Sequence, residues 1–519
     1  MYESDGYMVP YPGYKKILEL AAVLGSTGQG RGFFVSVRTP IAIAVKSSSV
    51  WIISSSFGMQ FVGTLKTSTG PVFMDENLNG QIGIVDSVNL YIYNKFNNSL
   101  TQQTGDLYLD LTPNFIKFHD GYFLIGNGNK TGNGAKFYAL VYKTDDTVDV
   151  AIGGELALET SPDYALAACP LSEHGNMILV FGSSVTEVQM NTPKTTGLQT
   201  ILYQRVPTIN ISYGVASVAT IDTSDGVVMW LAINKSSPPV LMVFDGQSHD
   251  TITTDGFNYL LERVKSPSES FGFFFKSDGK LFYQLTMYGS EDNFSILVNV
   301  KERKIYNVSD WNLNFHPARQ VVYYQGKNYF ISWSTGDIYN ISTDHTTYDE
   351  NIVRVGSEGY KKYLDHIIPR QIIGDTWRPQ GVMTRPFCVR RISIVMEQGE
   401  DKDYSKLYDY LDGVVLIEDE DGTPLVTDDG KSFILAENSQ DFRLFGSNIK
   451  YSPGVDFSFS KDGCATWSNE KRRRLNFIGK RQNITKWPSL GRMNEFTPKF
   501  KFWGKCRFVV GNGTMEVMN

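Results

Sequence analysis

Short runs of β-branched and aromatic residues dominate the hydrophobic pattern of this chain. They are about four to eight residues long and are separated by turns of Gly, Asn, Asp and Ser. Representative runs are Gln81–Val85, Leu90–Asn94, Met177–Phe181 and Leu281–Met287. Helical periodicity is visible only in brief pieces such as Tyr360–His366. The pattern predicts an all-β protein.

Several of these runs belong to a degenerate repeat of turn, strand, loop, strand and turn. The copies begin at His119-Asp120-Gly121, His174-Gly175, Asp225-Gly226, Asp278-Gly279 and Gln325-Gly326. Their spacing is roughly fifty residues, the period expected when each unit is one blade of a propeller. We therefore expect a β-propeller of roughly six to eight blades.

The rhythm changes after about Tyr363, where three prolines interrupt the pattern before the apolar run Arg391–Met396. We predict three parts from this change. Residues 1–32 form an N-terminal arm, residues 33–365 form the propeller core, and residues 366–519 form a C-terminal β region that resembles a β-sandwich.

The charge of the chain is mild on average and strongly divided near the C-terminus. The 519 residues are 41% hydrophobic and 20% charged, which excludes a disordered chain. The net charge of −6 argues against a general nucleic-acid coat. Residues 397–441 are rich in Asp and Glu, whereas residues 471–505 contain eleven lysines and arginines. No run is long and apolar enough for a membrane helix, and the first residues do not resemble a secretory signal, so we expect no membrane insertion.

The sequence favours a protein that is not an enzyme and binds no cofactor. Four scattered cysteines form no CxxC pair, and the six histidines show no metal-binding spacing. The acidic run Glu418–Asp421 could supply the paired carboxylates of a glycosidase, but a solvated turn is the favoured interpretation.

The sharpest local motif is an Asp-box-like segment, Ser460-Lys461-Asp462-Gly463-Cys464-Ala465-Thr466-Trp467. Cys464 stands where such motifs usually have a glycine. In this motif the aspartate ties down a tight hairpin, so we expect Ser460, Asp462, Gly463 and Trp467 to be structural. The alternative is a marker of a propeller glycosidase or a glycan-binding protein that recognises a receptor. A single copy favours the structural interpretation.

Basic residues follow this motif and allow two interpretations. Lys471, Arg472, Arg473 and Arg474 could contact the phosphates of nucleic acid, or they could meet the acidic region of a neighbouring subunit. Both charge signs occur on one chain, which favours a subunit interface in a head-to-tail ring.

Several phrases, taken in order, resemble the tail nozzle proteins of short-tailed double-stranded-DNA bacteriophages, also called packaged-DNA stabilisation proteins. The matching phrases are Pro12-Gly13, Gly28–Gly32, Thr64–Asn77, Gln81–Asp86, Leu90–Tyr93, Asp462-Gly463, Trp467, Arg472–Arg474, Gly479, Arg481, Trp487 and Leu490-Gly491-Arg492. They bracket most of the chain. Cys464 and Met493-Asn494 depart from the family pattern.

This resemblance implies a structural virion protein of the phage tail, assembled in the host cytoplasm. Such a hub is a homo-hexameric ring beneath the portal and its adaptor ring. It extends the genome-ejection channel, helps to retain packaged double-stranded DNA without reading its sequence, and anchors tail spikes or fibres. The C-terminal region would complete the propeller or form the nozzle tip or adaptor-binding face. The residues that we expect in a basic interface patch are Lys471, Arg472, Arg473, Arg474, Arg481, Trp487 and Arg492.

Overall fold

The computed structural model describes all residues except 5, 22–27, 106, 130–133, 172, 197–198, 290–292, 356–359, 379–385, 399–453, 476–481, 505 and 519. The chain divides into two compact units. The central unit comprises Lys16–Ser309 and Asn314–Asn340, and the terminal unit comprises Met1–Lys15, Asp310–Leu313 and Ile341–Asn519. Three strands lie near the N-terminus: β1 (Tyr2–Ser4), β2 (Tyr7–Val9) and β3 (Gly13–Leu18).

Most of the central unit consists of antiparallel sheets whose strands follow one another in sequence. The first four sheets contain β4 (Gly30–Val35), β5 (Ile41–Lys46), β6 (Ser49–Ser54) and β7 (Met59–Thr64); β8 (Phe73–Glu76), β9 (Gln81–Val85), β10 (Leu90–Asn94) and β11 (Ser99–Gln102); β12 (Pro113–His119), β13 (Tyr122–Asn127), β14 (Lys136–Tyr142) and β15 (Val148–Ala157); and β16 (Ala167–Pro170), β17 (Met177–Phe181), β18 (Thr186–Thr196) and β19 (Gln199–Ile211).

Three further sheets complete the described part of the central unit. They contain β20 (Gly214–Val215), β21 (Asp222–Ser224), β22 (Val227–Asn234), β23 (Ser237–Phe244) and β24 (His249–Thr251); β25 (Phe271–Ser277), β26 (Lys280–Met287), β27 (Phe294–Asn299) and β28 (Lys304–Val308); and β29 (Ala318–Tyr324), β30 (Lys327–Ser332) and β31 (Ile338–Ser342), followed by β3. Helical structure in the described residues is limited to α1 (Leu107–Asp110), α2 (Asp255–Glu262) and two short 3-10 segments, Val218–Thr220 and Pro267–Glu269.

Tight turns between the first and second main strands explain the repeated phrases. Four of the five phrases, at residues 120–121, 225–226, 278–279 and 325–326, form two-residue hairpin turns in which both residues have positive φ. Such turns match the twist of the strands they join and favour Asp-Gly. The fifth phrase, His174-Gly175, lies in a longer loop between β16 and β17.

Apolar side chains fill the spaces between successive sheets, because each sheet has two faces to bury. One cluster joins the β4–β7 sheet to the β8–β11 sheet through residues such as Ile43 and Ile82. Another joins the last sheet to the first, with Ile331 and Ile338 packed against Phe33 and Ala42. The sequence of sheets therefore closes on itself, as the sheets of a propeller do.

The terminal unit has its own strands and its own core. Its strands are β1, β2, β32 (Thr347–Val355), β33 (Tyr360–Ile367), β34 (Arg370–Ile373), β35 (Phe387–Gln398), β36 (Gly454–Ser460), β37 (Lys471–Arg474), β38 (Gln482–Met493), β39 (Thr497–Trp503) and β40 (Phe508–Met518). Two sheets, in the orders β1-β2-β40-β35-β38 and β34-β39-β36-β37, contribute to one apolar cluster. The sandwich expected from the sequence stays a prediction.

Two features of the structure differ from the sequence expectations. Tyr360–His366, expected to be helical, forms strand β33, which pairs antiparallel with β32 from Tyr360↔Val355 to Ile367↔Thr347. Cross-strand hydrogen bonding therefore overrides the weak local periodicity. The limits of the central unit, Lys16 and Asn340, also differ from the predicted core limits of 33 and 365. The three-part division stays a prediction.

Candidate functional site

The Asp-box-like segment forms the loop that connects β36 to β37. Asp462 Oδ1 accepts hydrogen bonds from Ser460 Oγ at 2.6 Å and from the Thr466 amide at 2.9 Å, and the Thr466 hydroxyl donates to Asp462 Oδ2. The Cys464 amide donates to Ser460 Oγ at 2.9 Å. Hydrogen bonds from Ser460 and Thr466 lower the pKa of Asp462 to about 2, because they stabilise the charged form. The side chain thus holds the loop in shape.

Two consecutive residues in this loop adopt left-handed backbone conformations. Gly463 has φ +65° and Cys464 has φ +73°. Glycine tolerates this region at no steric cost, whereas a residue with a Cβ does not. The departure from the usual motif at Cys464 therefore places a strained residue at a position where glycine fits.

The β34-β39-β36-β37 sheet has one apolar side and one basic side. Val455, Phe457 and Phe459 of β36 point into the core, whereas Asp456 alternates to the other side. Strand pairing places Arg472, Lys499, Lys501 and Trp503 on the same side as Asp456, and Trp467 joins them through its contact with Lys499. We call these five residues the basic face.

Asp456 organises one end of the basic face. Arg472 donates from Nε to Asp456 Oδ1 at 2.7 Å and from a terminal nitrogen to Oδ2 at 2.8 Å, and Trp503 Nε1 donates to Oδ2 at 2.5 Å. The hydrogen bonds from Arg472 to Asp456 raise the pKa of the guanidinium. The Asp456 side chain is 2% exposed, but that of Arg472 is 64% exposed. Arg472 therefore neutralises a buried carboxylate while presenting much of its own surface to solvent.

The other two cations of the basic face lie beside aromatic and acidic groups. Lys499 Nζ is 4.0 Å from the centre of the Trp467 ring, a cation–π contact. Partial burial, followed by the neighbouring charge of Lys501, lowers the pKa of Lys499. Lys501 pairs with Glu470 at 2.5 Å. Trp467 is half-buried, and Lys499 covers one face of its ring.

The remaining predicted interface residues occupy different environments. Trp487 is fully buried in the core and its Nε1 donates to the Lys471 carbonyl at 2.9 Å, so the expected surface role of this indole is wrong. Lys471 and Arg473 are exposed, and Arg473 Nε donates to the Lys486 carbonyl at 3.4 Å. Arg492 is exposed.

Some of the predicted charged residues cannot be placed on the basic face. Arg474 belongs to β37 by its backbone pairing with Gly454. Arg481 lies outside the described residues, as does the acidic region beyond Gln398.

Sequence reasoning missed a second group of charged residues, inside the central unit. Lys117 and Arg319 lie on β12 and β29, within strands that are otherwise apolar or uncharged, and both line a cavity in this unit. A single cation within a short strand is the signal that could have marked them. Among the described residues, no group of three or more His, Cys, Asp or Glu could hold a metal ion. The same residues contain no helix long and apolar enough to cross a membrane.

Comparison with known protein families decides the relationship of the chain. Residues 1–269, more than half of the 519, match a phage stabilisation family described as "Bacteriophage P22 Gp10, beta-propeller". The chain belongs to this family. Membership of the phage stabilisation family confirms the resemblance found in the sequence and, together with the closed series of sheets, the β-propeller fold. It also supports a structural, DNA-stabilising role in a phage particle.

Solved structures similar to this phage stabilisation protein include enzymes. One is selenomethionine-substituted virginiamycin B lyase from Staphylococcus aureus, at 12% identity and a TM-score of 0.42 over 64% of this chain and 99% of that chain. Another is a streptogramin B lyase, at 12% identity and a TM-score of 0.40 over 65% of this chain and 99% of that chain. Likenesses at these scores carry no argument about activity. No curated protein matches the chain.

Proposed function

We propose that this protein is the ring-forming tail nozzle, or hub, of a short-tailed phage. The match of residues 1–269 to the phage stabilisation family carries this proposal. In it, six copies form a ring below the portal and its adaptor ring, extend the channel through which double-stranded DNA leaves, and help to retain that DNA. The ring also anchors tail spikes or fibres. Its work is mechanical and interfacial rather than catalytic.

We infer that each subunit supplies a seven-bladed propeller. The described part of the central unit holds seven sheets, and the apolar cluster that includes Phe33 and Ile331 joins the last sheet to the first. Each sheet buries both faces against its neighbours, so the unit is rigid without needing partners. Rigidity of this kind suits a part that must keep a channel open.

We further propose that the basic face is a contact surface between subunits. Arg472, Lys499 and Lys501 outnumber the acids that accompany them, and two tryptophans lie among them. Tryptophan and arginine are the residues that most often dominate binding energy at interfaces. A neighbouring acidic surface would complement the charge. Ring contacts of the obligate kind bury about 2,000 Å² or more, so this surface would be one part of a larger interface.

The test is electron microscopy of the purified protein mixed with portal–adaptor complexes. We expect six-fold rings on the adaptor, and mass photometry should find six chains per complex. Protein that stays monomeric in the presence of the adaptor would contradict the proposal. Cleavage or specific binding of members of a glycan panel by that monomer would instead favour the glycosidase or receptor-binding alternative.

Charge reversal tests the basic face separately. Changing Arg472, Arg473 and Arg474 to Glu should impair ring assembly and leave the weak affinity for DNA unchanged. Lys501→Glu alone keeps the Arg472–Asp456 pair and leaves no buried carboxylate unpaired, because Lys501 pairs only with the exposed Glu470 among the described residues, so this variant separates assembly from folding. Arg303→Glu is the matched control, because Arg303 is an exposed arginine of the central unit that pairs with Asp250. Normal particles with altered genome retention would contradict the interface role.

A further inference from the structure

A small cavity lies inside the central unit and is lined by six of its seven sheets. Its volume is about 60 Å³. Four charged side chains line it: Arg31 from β4, Lys117 from β12, Asp222 from β21 and Arg319 from β29. Three cations and one carboxylate therefore line the same cavity; Arg31 is buried, whereas Lys117, Asp222 and Arg319 are partly exposed.

Two of these cations already have partners. Arg31 donates hydrogen bonds to the carbonyls of Ser47, Thr67, Thr69 and Gly70 at 2.7–2.9 Å and to Thr67 Oγ1 at 2.8 Å. All five of its N–H groups are thereby used. It is fixed by the loops that follow β5 and β7.

Lys117 is compensated by charge. Burial by itself would lower the pKa of this lysine, but the negative charges of Asp75 and Asp222 raise it overall. The carboxylates are held in turn, because Asp75 accepts from the Phe118 amide at 2.8 Å and Asp222 from the Phe274 amide at 2.8 Å. Asp222, the carboxylate that lines the cavity, therefore compensates the charge of Lys117.

Arg319 is different. Within the described part of the chain it makes no hydrogen bond and no ion pair, and its contact is with the face of the Phe271 ring at 4.2 Å. Burial, followed by repulsion from Arg31, lowers its pKa to about 9. The Arg319 side chain is partly exposed, and its guanidinium offers five donors that a ligand in the cavity can use. The part of Arg319 that stays accessible lines the cavity.

We propose that the cavity binds a small tetrahedral oxyanion, such as inorganic phosphate, through Arg319. A guanidinium forms paired, charge-assisted hydrogen bonds with two oxygens of such an anion. The cavity volume is about four times the ~15 Å³ that one water molecule needs, which suits a group of four or five heavy atoms. The anion would also balance the charge of Arg319, whose cited contacts include no carboxylate.

Titration calorimetry with inorganic phosphate on the full-length protein tests this proposal. We expect saturable binding of one phosphate per chain and a rise in melting temperature with phosphate concentration. Chloride at equal ionic strength should not reproduce the effect. Arg319→Gln should weaken phosphate binding about ten- to a hundredfold, the effect of losing charge-assisted hydrogen bonds. Arg303→Gln, an exposed arginine outside the cavity, is the control and should bind as wild type.

A second variant keeps the test decisive if Arg319→Gln does not fold. Gln320 also lines the cavity, and its Oε1 accepts a hydrogen bond from the Phe33 amide at 3.0 Å. Gln320→Glu preserves this acceptor and adds a negative charge, so it should abolish phosphate binding. Wild-type protein that shows no saturable phosphate binding, or variants that bind as tightly as wild type, would overturn the proposal. Neither result depends on ring formation, because the assay uses the isolated chain.

Discussion

Asp337 lies between two buried lysines of the central unit. Its Oδ2 is 2.5 Å from Lys16 Nζ and its Oδ1 is 3.0 Å from Lys46 Nζ. The side chains of the three residues are between 5% and 8% exposed. Lys46 ends β5 in the first sheet, and Asp337 directly precedes β31 in the last, so this ionic group joins the sheets where the series closes.

Asp337→Asn keeps the shape of the side chain and removes its charge. Breaking a buried ion pair by removing one partner costs about 3–5 kcal/mol, because the remaining charge is left uncompensated. Lys46 still donates to the Leu20 carbonyl at 2.6 Å, and Lys16 is 4.0 Å from the partly exposed Glu19. These contacts limit the loss, so we expect the lower value, about 3 kcal/mol. This corresponds to about a hundredfold change in the opening equilibrium.

Hydrogen exchange measured strand by strand is the appropriate assay, because a chain with two units need not unfold in one step. We expect exchange in β5 and β31 to accelerate by about two orders of magnitude in Asp337→Asn. Asp250→Asn is the matched control. It breaks the exposed pair with Arg303, for which we expect less than about 1 kcal/mol. Equal effects of the two variants would refute the assignment of ring closure to Asp337.

Three further predictions concern single residues. Cys464→Gly should raise stability by about 1 kcal/mol, because it relieves a left-handed residue with a Cβ, and thermal unfolding that shows no gain over Cys464→Ala would contradict this. Burial lowers the pKa of His316 to about 3, whereas its unfolded-state pKa is about 6.5. Its contribution to the stability of the folded state is therefore fully present above pH 6.5. As the pH falls from about 6.5 towards 3, this contribution is lost by up to about 1.4 kcal/mol per pH unit. His316→Gln should flatten this part of the pH profile in denaturant titrations, and an unchanged slope would argue against it. Thr254→Ala should cost about 1 kcal/mol and increase hydrogen exchange in α2, because Thr254 Oγ1 caps this helix by accepting from the Phe257 amide; unchanged exchange would exclude a capping role.

Turn chemistry and strand composition made much of the central unit predictable. Gln81–Val85, Leu90–Asn94 and Met177–Phe181, identified as apolar runs, coincide with β9, β10 and β17. The Asp-Gly turns at residues 225–226 and 278–279 adopt the positive φ values that such pairs favour. These features depend on a few adjacent residues, so the local sequence is sufficient to specify them.

Local patterns were less reliable where a distant segment competes with them. Tyr360–His366 has brief helical periodicity, yet β32 pairs with it along its length and makes it a strand. Helix α2 was missed although Thr254 and Asp255 provide a cap and an acidic first turn. A short helix among many strands gives too weak a periodic signal to stand out.

The sequence by itself determined the all-β class, the blade period and the family to which this chain is related. The tertiary structure decided which charged residues meet. Lys46 and Asp337 are 291 positions apart and pair where the series of sheets closes. Asp456 accepts hydrogen bonds from Arg472 of the neighbouring strand. In the sequence, Arg319 is a single cation within an ordinary strand. Only the packing of six sheets places this side chain on the wall of a cavity. Partners of this kind depend on how the sheets pack together, and packing is a property of the whole fold that no local pattern contains.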